Sequence, residues 1–475
     1  MLDKMIGKPI VLSSIFGSGG IMKNERTLVE GKILPTLVVF AVPFLLASIL
    51  QALYGAVDLI VIGRFVDSAS VSATAIGGQV MQTITGIVLG ISTGGTVVIG
   101  QHVGAEKKRD AALAVGNLIA LFAVIAVVLT IAMLIFTDSI VAIMKTPAEA
   151  VTHTARYITL CSMGIPFIVG YNGVSGVFRG FGDSKTPLYF VALACVINIG
   201  LDLLLVAVVG MGVAGAAIAT VAAQAISFLA AVIYLMKKGI PVAFYKKDIG
   251  FSGGQALRIL KIGSPIAVQD ALVNVSFLII TAIINTMGLV ASAAVGIDEK
   301  VIVFAMLVPT SFASAVAVMT AQNIGAGQMV RAKKSLWVGV ALSFVFGMAV
   351  WIYCQFFPEV FPSLFSKDAD VVYNAGLYLR NYTIDCMLVA FIFCVNSFFS
   401  GCGYSLFSLI HSLIATFGFR VPGSYVMSKI AGITLFEMGF VPPMASCVSI
   451  VLCLFYLKLG KGFRENEQEE KLEQL

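Results

Sequence analysis

Charge is scarce in this chain. Only 12% of its 475 residues are Asp, Glu, Lys or Arg, 59% are hydrophobic, and mean hydropathy is +0.99, whereas a soluble domain carries roughly 25% charged residues. No soluble fold can hide that much apolar surface. Histidine is nearly absent as well: His102, His153 and His411 are scattered, with no second ligand nearby in sequence, and read as incidental. The eight cysteines lack metal-ligand spacing and fall almost entirely inside apolar runs, so they read as packed free thiols and not as a disulfide framework. The glycine-rich stretches Gly94-Gly95 and Gly210-Met211-Gly212-Val213-Ala214-Gly215 have no Lys-Ser/Thr following a strand, which excludes a phosphate loop and leaves close helix packing. Residues 1–21 show no signal-peptide core, so Met22 is the expected start.

What the chain does have is a second copy of itself. Gln101-His102-Val103-Gly104-Ala105 recurs as Gln322-Asn323-Ile324-Gly325-Ala326, 221 residues on, and the same offset relates Tyr157 to Tyr378 and Arg179-Gly180 to Ser400-Gly401. A bilayer core takes about 20 apolar residues per helix. On that ruler the chain is an all-α membrane protein of twelve transmembrane helices in two pseudo-symmetric six-helix bundles. The expected organisation is a cytoplasmic N-terminal segment (1–33), an N-lobe (34–236), a cytoplasmic inter-lobe loop (237–257), a C-lobe (258–458) and a cytoplasmic tail (459–475). Two similar bundles that can rock about a site between them are a transporter's layout.

Orientation follows from basic residues, which favour cytoplasmic loops. The even-numbered connections carry Lys107, Lys108 and Arg109, then Arg179 and Lys185, then Lys237, Lys238, Lys246 and Lys247, then Arg331, Lys333 and Lys334. The odd-numbered ones are sparser. Both termini are therefore expected in the cytoplasm, and the location is the cell inner (plasma) membrane.

A charged side chain at mid-membrane costs at least about 2.5–3.5 kcal/mol, which makes it a functional hypothesis by default. Asp58 in span 1 and Asp202 in span 5 stand out, and Asn198 shares a helix face with Asp202 four residues on. A carboxylate and an amide oxygen on one face are a partial shell for a small hard cation. Moving 221 residues from Asp58 and Asp202 lands on Ile279 and Gly423, so such a site is asymmetric. The C-lobe carries Asp270 and Asn274 on one face, then Asp298, Glu299 and Lys300, then Asp385 and Asn396. Arg420 reads either as a snorkelling end residue or as a buried counter-charge. Asp270, Asn274 and Glu299 are expected to contact substrate. Pro43 removes one backbone bond inside span 1 and is the expected hinge; Pro265 allows a comparable bend in span 7.

These strings together resemble the multidrug and toxic compound extrusion (MATE) transporters. The resemblance rests on Pro43, Gln51-Ala52-Leu53-Tyr54 and Val57-Asp58, on Gly100 to Ala105, on Phe178-Arg179-Gly180-Phe181-Gly182-Asp183, and on Asn198 with Asp202. It covers the chain from about Met22 to about Gly460. The resemblance implies a V-shaped pair of six-helix bundles that exports amphipathic, often cationic compounds in exchange for Na⁺ or H⁺. The cation site of archaeal and related bacterial members maps onto Asp58, Asn198, Asp202 and Thr220. Asn172 and Ser175, three apart in span 4, are expected to add substrate contacts in the same lobe. Two features depart from the family pattern: Ser400-Gly401 stands where many members repeat Arg-Gly, and the second-lobe acidic positions of other sodium-coupled members have no clear match. The expected activity is antiport of organic, cationic compounds. The alternatives are an exporter or flippase of a lipid-linked or metabolite substrate and a polytopic membrane enzyme, which would need paired acidic metal motifs or a catalytic His. No cofactor and no metal beyond Na⁺ at the cation site are implied. The expected partners are a small-molecule substrate and membrane lipids, with no nucleic acid, and the expected state is a monomer.

Overall fold

A computed structural model describes residues 28–459; the Met22 start and the tail beyond 459 lie outside the described residues. The elements are α1 (Ile33–Phe65), α2 (Ser68–Gly104), α3 (Lys108–Ile143), α4 (Val151–Met163), α5 (Ile165–Gly180), α6 (Lys185–Asp202), α7 (Val213–Lys238), α8 (Gln255–Asn285), α9 (Leu289–Gly325), α10 (Met329–Phe356), α11 (Val360–Ser363), α12 (Ala369–Gly401), α13 (Ser405–Ala415), α14 (Val421–Ser428), α15 (Leu435–Met438) and α16 (Val441–Leu459). Eleven helices are long and apolar enough to cross a membrane, and the pair Ala148–Met163 and Ile165–Gly180, bent by 48°, makes a twelfth span. The all-α architecture of twelve spans is thus present.

The ends of these helices follow local chemistry. Asp67 caps α2 by accepting the Ser70 N–H at 2.8 Å, Asp368 caps α12 through the Asp370 and Val371 N–H groups, and Thr434 with Glu437 forms a reciprocal box ahead of α15. After α5 and α12 the chain turns at Gly182 and Gly403, both with φ +89°, a conformation that costs glycine little.

The duplication is visible in three dimensions. Gly180 and Gly401 let their helices touch a neighbour's backbone. A Cβ on Gly180 would meet Ile99 Cβ at 2.8 Å and Thr96 O at 3.1 Å; one on Gly401 would meet Thr320 Cβ at 2.7 Å and Ala317 O at 2.8 Å. Each contact partner in the second set sits 221 residues after its counterpart in the first. Helices in lipid gain nothing from burying one apolar face against another, so small residues that permit close approach do the packing.

Two compact units result, and their limits fall inside helices. Of the described residues, the first unit holds 46–264 and the second holds 28–45 with 265–459. The start of α1 therefore packs with the second unit, and the start of α8 with the first, in contrast to lobes divided at residues 34 and 258. In the second unit, Leu37, Phe40 and Ala41 join a core with Val316, Met319, Leu336, Val395, Phe398, Phe399 and Cys453. In the first, Gly94 on α2 and Gly263 on α8 allow backbone contact, since a Cβ on Gly94 would lie 2.4 Å from Ile259 O.

Each transferred segment is also anchored by polar bonds near its beginning. In the first unit Arg109 forks onto Asp248 at 2.6 and 2.8 Å, Asn117 accepts the Ser252 N–H at 3.1 Å, and His102 meets Gln255 at 3.0 Å. In the second, Arg331 donates to the Glu30 and Gly31 carbonyls at 2.7 and 2.8 Å, and Asn323 donates to Leu28 O at 3.3 Å. His102 is consequently not incidental; its partner is 153 residues away and invisible to a local search. His411 is not incidental either. It is buried between Ser449 (2.8 Å), Asn396 (2.6 Å) and Cys453 (3.5 Å).

Candidate functional site

Four side chains of the first unit converge within the membrane-spanning region. Asp58 comes from the part of α1 that belongs to this unit, Asn198 and Asp202 from the final turns of α6, and Thr220 from α7. Immediately after Asp202 the helix widens into a π-helical stretch, Leu203–Val208. Single π turns inside α-helices often accompany functional sites, because the extra residue redirects the side chains beside it.

Thr220 Oγ1 donates to Asp58 Oδ2 at 3.3 Å, and the Asn198 amide reaches Thr220 Oγ1 at 3.5 Å. Asp58 also faces Asp202, and no Lys, Arg or His is among the groups acting on either carboxyl. Relative exposure is 5% for Asp58, 2% for Asn198 and 0% for Asp202. Asp58 Oδ1, Asn198 Oδ1 and both oxygens of Asp202 have no hydrogen-bond partner. Buried polar atoms are almost always paired, so four unanswered oxygens in one place need an explanation. Oxygen donors of this kind, carboxylate and amide together, suit a small hard cation, and a carboxylate suits a proton.

Tyr54, Ala194, Asn198, Thr220, Ala223 and Gln224 border a shallow recess too small to admit a water molecule. Tyr54 and Gln224, which line the same recess as Asn198 and Thr220, are absent from the sequence-derived site. The signal was available: Tyr54 lies four residues before Asp58 and Gln224 four after Thr220, on the same helix faces.

The remaining expected contacts are dispersed. The Asn172 side-chain amide donates to Ile168 O at 2.8 Å on its own helix, the Asn172 main-chain carbonyl accepts the Ser92 hydroxyl at 2.7 Å, and Ser175 Oγ has no partner; neither residue hydrogen-bonds to the quartet. In the second unit the Asn274 amide bonds the main-chain carbonyl of Asp270 and not its carboxyl. Glu299 accepts the Thr281 hydroxyl at 3.1 Å, and the adjacent Asp298, fully buried, keeps both oxygens unpaired. Arg420 is no end residue. It sits within the Ser405–Ser428 span, at the close of a second π-helical stretch, Thr416–Arg420. The positions that match Asp58 and Asp202 at the repeat offset are indeed Ile279 and Gly423, so the second unit has no copy of the carboxylate pair.

Two repeats of six spans, each with the same close helix contacts and only the first with the Asp58–Asp202 pair, define a membrane transporter fold. A model of the MatE family matches residues 43–204 and again 265–426, one match beginning at Pro43 and the other at Pro265. The chain belongs to the MatE family; it is a multi-pass membrane transporter and not an enzyme. The probable multidrug resistance protein YoeA of Bacillus subtilis is 28% identical over 426 residues, 88% of this chain and 92% of that protein. The multidrug export protein MepA of Staphylococcus haemolyticus is 23% identical over 443 residues, 92% and 96% of the two chains. The outward-facing structure of a multidrug resistance MATE family transporter of the MOP superfamily aligns with a TM-score of 0.86 at 23% identity, covering 93% of this chain and 100% of that one, a likeness of fold.

Proposed function

We propose that this protein is a secondary active antiporter in the plasma membrane that exports organic, cationic compounds in exchange for Na⁺ or H⁺. Asp58, Asn198, Asp202 and Thr220 hold the coupling cation. The observation that carries this reading is the set of four buried oxygens without partners on Asp58, Asn198 and Asp202. Two carboxyls that share one site cannot both stay charged in a low dielectric, so arrival of a cation or proton stabilises the occupied state by relieving their repulsion. Occupation of the site and binding of the exported compound then favour different conformations, and that exclusion couples the two fluxes.

Pro43 and Pro265 support a hinge role, because the chain passes from one unit to the other at Leu45–Leu46 and at Ser264–Pro265. A proline there leaves one helix bond unmade, where bending is least costly. The Lys and Arg distribution supports a cytoplasmic side for both termini. Cysteines introduced at Lys108, Lys246 and Lys333 should accordingly label only from that side, and labelling from outside intact cells overturns the orientation.

Proteoliposomes loaded with a fluorescent organic cation test the antiport reading. Efflux should be driven by an imposed Na⁺ gradient or an imposed H⁺ gradient applied alone, and the gradient that works identifies the ion. Pro43→Ala should slow efflux without changing which ion drives it. Efflux indifferent to both gradients sinks the antiport reading.

A further inference from the structure

The connection between α7 and α8 is pinned on one side and bare on the other. α7 ends at Lys238, α8 begins at Gln255, and both are spans, so residues 239–254 run along the boundary between membrane and water. Within the first unit this strap crosses α3 at Gly116, where an added Cβ would lie 1.8 Å from Asp248 O. Asp248 takes the Arg109 fork and the Tyr245 N–H at 2.9 Å, and Asn117 holds Ser252 through its N–H and hydroxyl. Those bonds use only the inner side. Lys246 and Lys247 are exposed, as are Ile249 (46%) and Phe251 (64%). Neither lysine forms an ion pair, because the one acid beside them, Asp248, is taken by Arg109. Lys247 instead lies over the Tyr245 ring, 5.3 Å from its centroid, with the Arg109 guanidinium 5.9 Å from the same centroid. Lys107 and Lys108, exposed at the start of α3, add two more positive charges. Apolar side chains left bare beside a lysine pair at the end of a span are the pattern of a segment seated among lipid headgroups. A soluble anion has no use for Phe251. A zwitterionic headgroup has no use for the lysine excess.

We propose that the strap is a binding site for anionic phospholipid. Lys246 and Lys247 take the headgroup phosphate, Ile249 and Phe251 lie against the upper acyl chain, and the Arg109–Asp248 bridge holds the four in place. The site faces the cytoplasmic leaflet under the orientation given above. It goes beyond the export reading and depends on neither coupling ion nor cargo.

Native mass spectrometry of the purified full-length protein tests it, with phosphatidylglycerol and phosphatidylcholine of identical acyl chains as probes. For the first lipid bound, wild type should prefer phosphatidylglycerol by roughly tenfold or more, since each lysine near an anionic headgroup is worth about fivefold. Lys246→Gln with Lys247→Gln should remove most of that preference and leave phosphatidylcholine binding near wild type, which also shows that the variant is folded. Phe251→Ser should weaken both lipids by a similar factor, because an acyl contact is blind to the headgroup. Lys333→Gln with Lys334→Gln, a basic pair in the second unit, should leave the preference unchanged. Equal affinity of wild type for the two lipids overturns the proposal. So does an equal loss of preference in the Lys333 and Lys334 pair, which would make the effect one of general positive charge. A fall of both lipids together in the Lys246 and Lys247 pair would make those lysines structural. Displacement of phosphatidylglycerol by millimolar glycerol phosphate would assign the lysines to a soluble phosphate ester and overturn the lipid reading.

Discussion

The two units are alike in skeleton and unlike in charge. Gly180 and Gly401 repeat the same backbone contacts, Arg109 and Arg331 each secure a segment that begins the other repeat's first helix, and both fifth spans carry a π-helical stretch. The first unit gathers Asp58 and Asp202 with no cationic side chain beside them. The second spreads Asp270, Asp298, Glu299 and Asp385 and adds Arg420. Close helix packing tolerates little change, since an added methyl at a glycine contact must displace a neighbour's backbone. Polar side chains outside such contacts are free of that constraint. After duplication the halves could therefore diverge in chemistry while keeping the same close contacts, and under the antiport proposal that asymmetry lets ion and cargo occupy different chemical surroundings.

The largest expected effect tests the asymmetry directly. Asp202→Asn keeps the size of the side chain and removes its charge, so gradient-driven efflux should fall by about tenfold or more, the equivalent of at least ~1.4 kcal/mol in cation affinity. Asp58→Asn should do the same, and the double variant should be little worse than either, because residues acting as one site are not additive. Ile279→Thr, at the matching place in the second unit, should leave coupling intact. Normal coupling in Asp202→Asn at normal expression would make that carboxylate structural and move the search to the acids around Glu299.

Sequence revealed the features that repeat or that violate membrane composition. Twelve spans, the repeat itself and the Asp58, Asn198, Asp202 set are all legible, because each is an apolar run, a fixed offset or a polar residue where lipid forbids one. Features that depend on distant partners were hidden. His102 finds Gln255 and His411 finds Ser449 across long stretches of chain, and no local spacing announces either pair. The limits of the units were hidden from a hydropathy profile too, since Leu45–Leu46 and Ser264–Pro265 lie inside continuous apolar helices; only Pro43 and Pro265, read as bend points, lie beside them. Arg420 was ambiguous because its meaning depends on Phe277 and Tyr382, which sit on other helices.

The smallest expected effect separates the two anchors. In the first unit the Arg109 fork ends on a carboxylate; in the second the Arg331 fork ends on the Glu30 and Gly31 main-chain carbonyls, which do not titrate. Burial opposes the Asp248 charge, but the Arg109 guanidinium and the Tyr245 N–H outweigh it, so the carboxyl is held below the ordinary carboxylate value. A depressed value means that the stabilisation is complete above the unfolded pKa of about 3.9 and disappears as pH falls through the lower folded one. Between pH 5 and pH 8 neither anchor should change. In stronger acid, amide protection relative to the intrinsic exchange rate at the same pH should fall across residues 246–258 while residues 28–32 keep theirs. Because Arg109 is 53% exposed, the pair is worth on the order of 1 kcal/mol at most, so Asp248→Asn at neutral pH should raise exchange in its segment by roughly fivefold or less. Arg331→Gln should loosen residues 28–32 to a similar degree at every pH. Equal acid sensitivity of both segments would show that the anchors share a titrating group and that the contrast between them is only apparent.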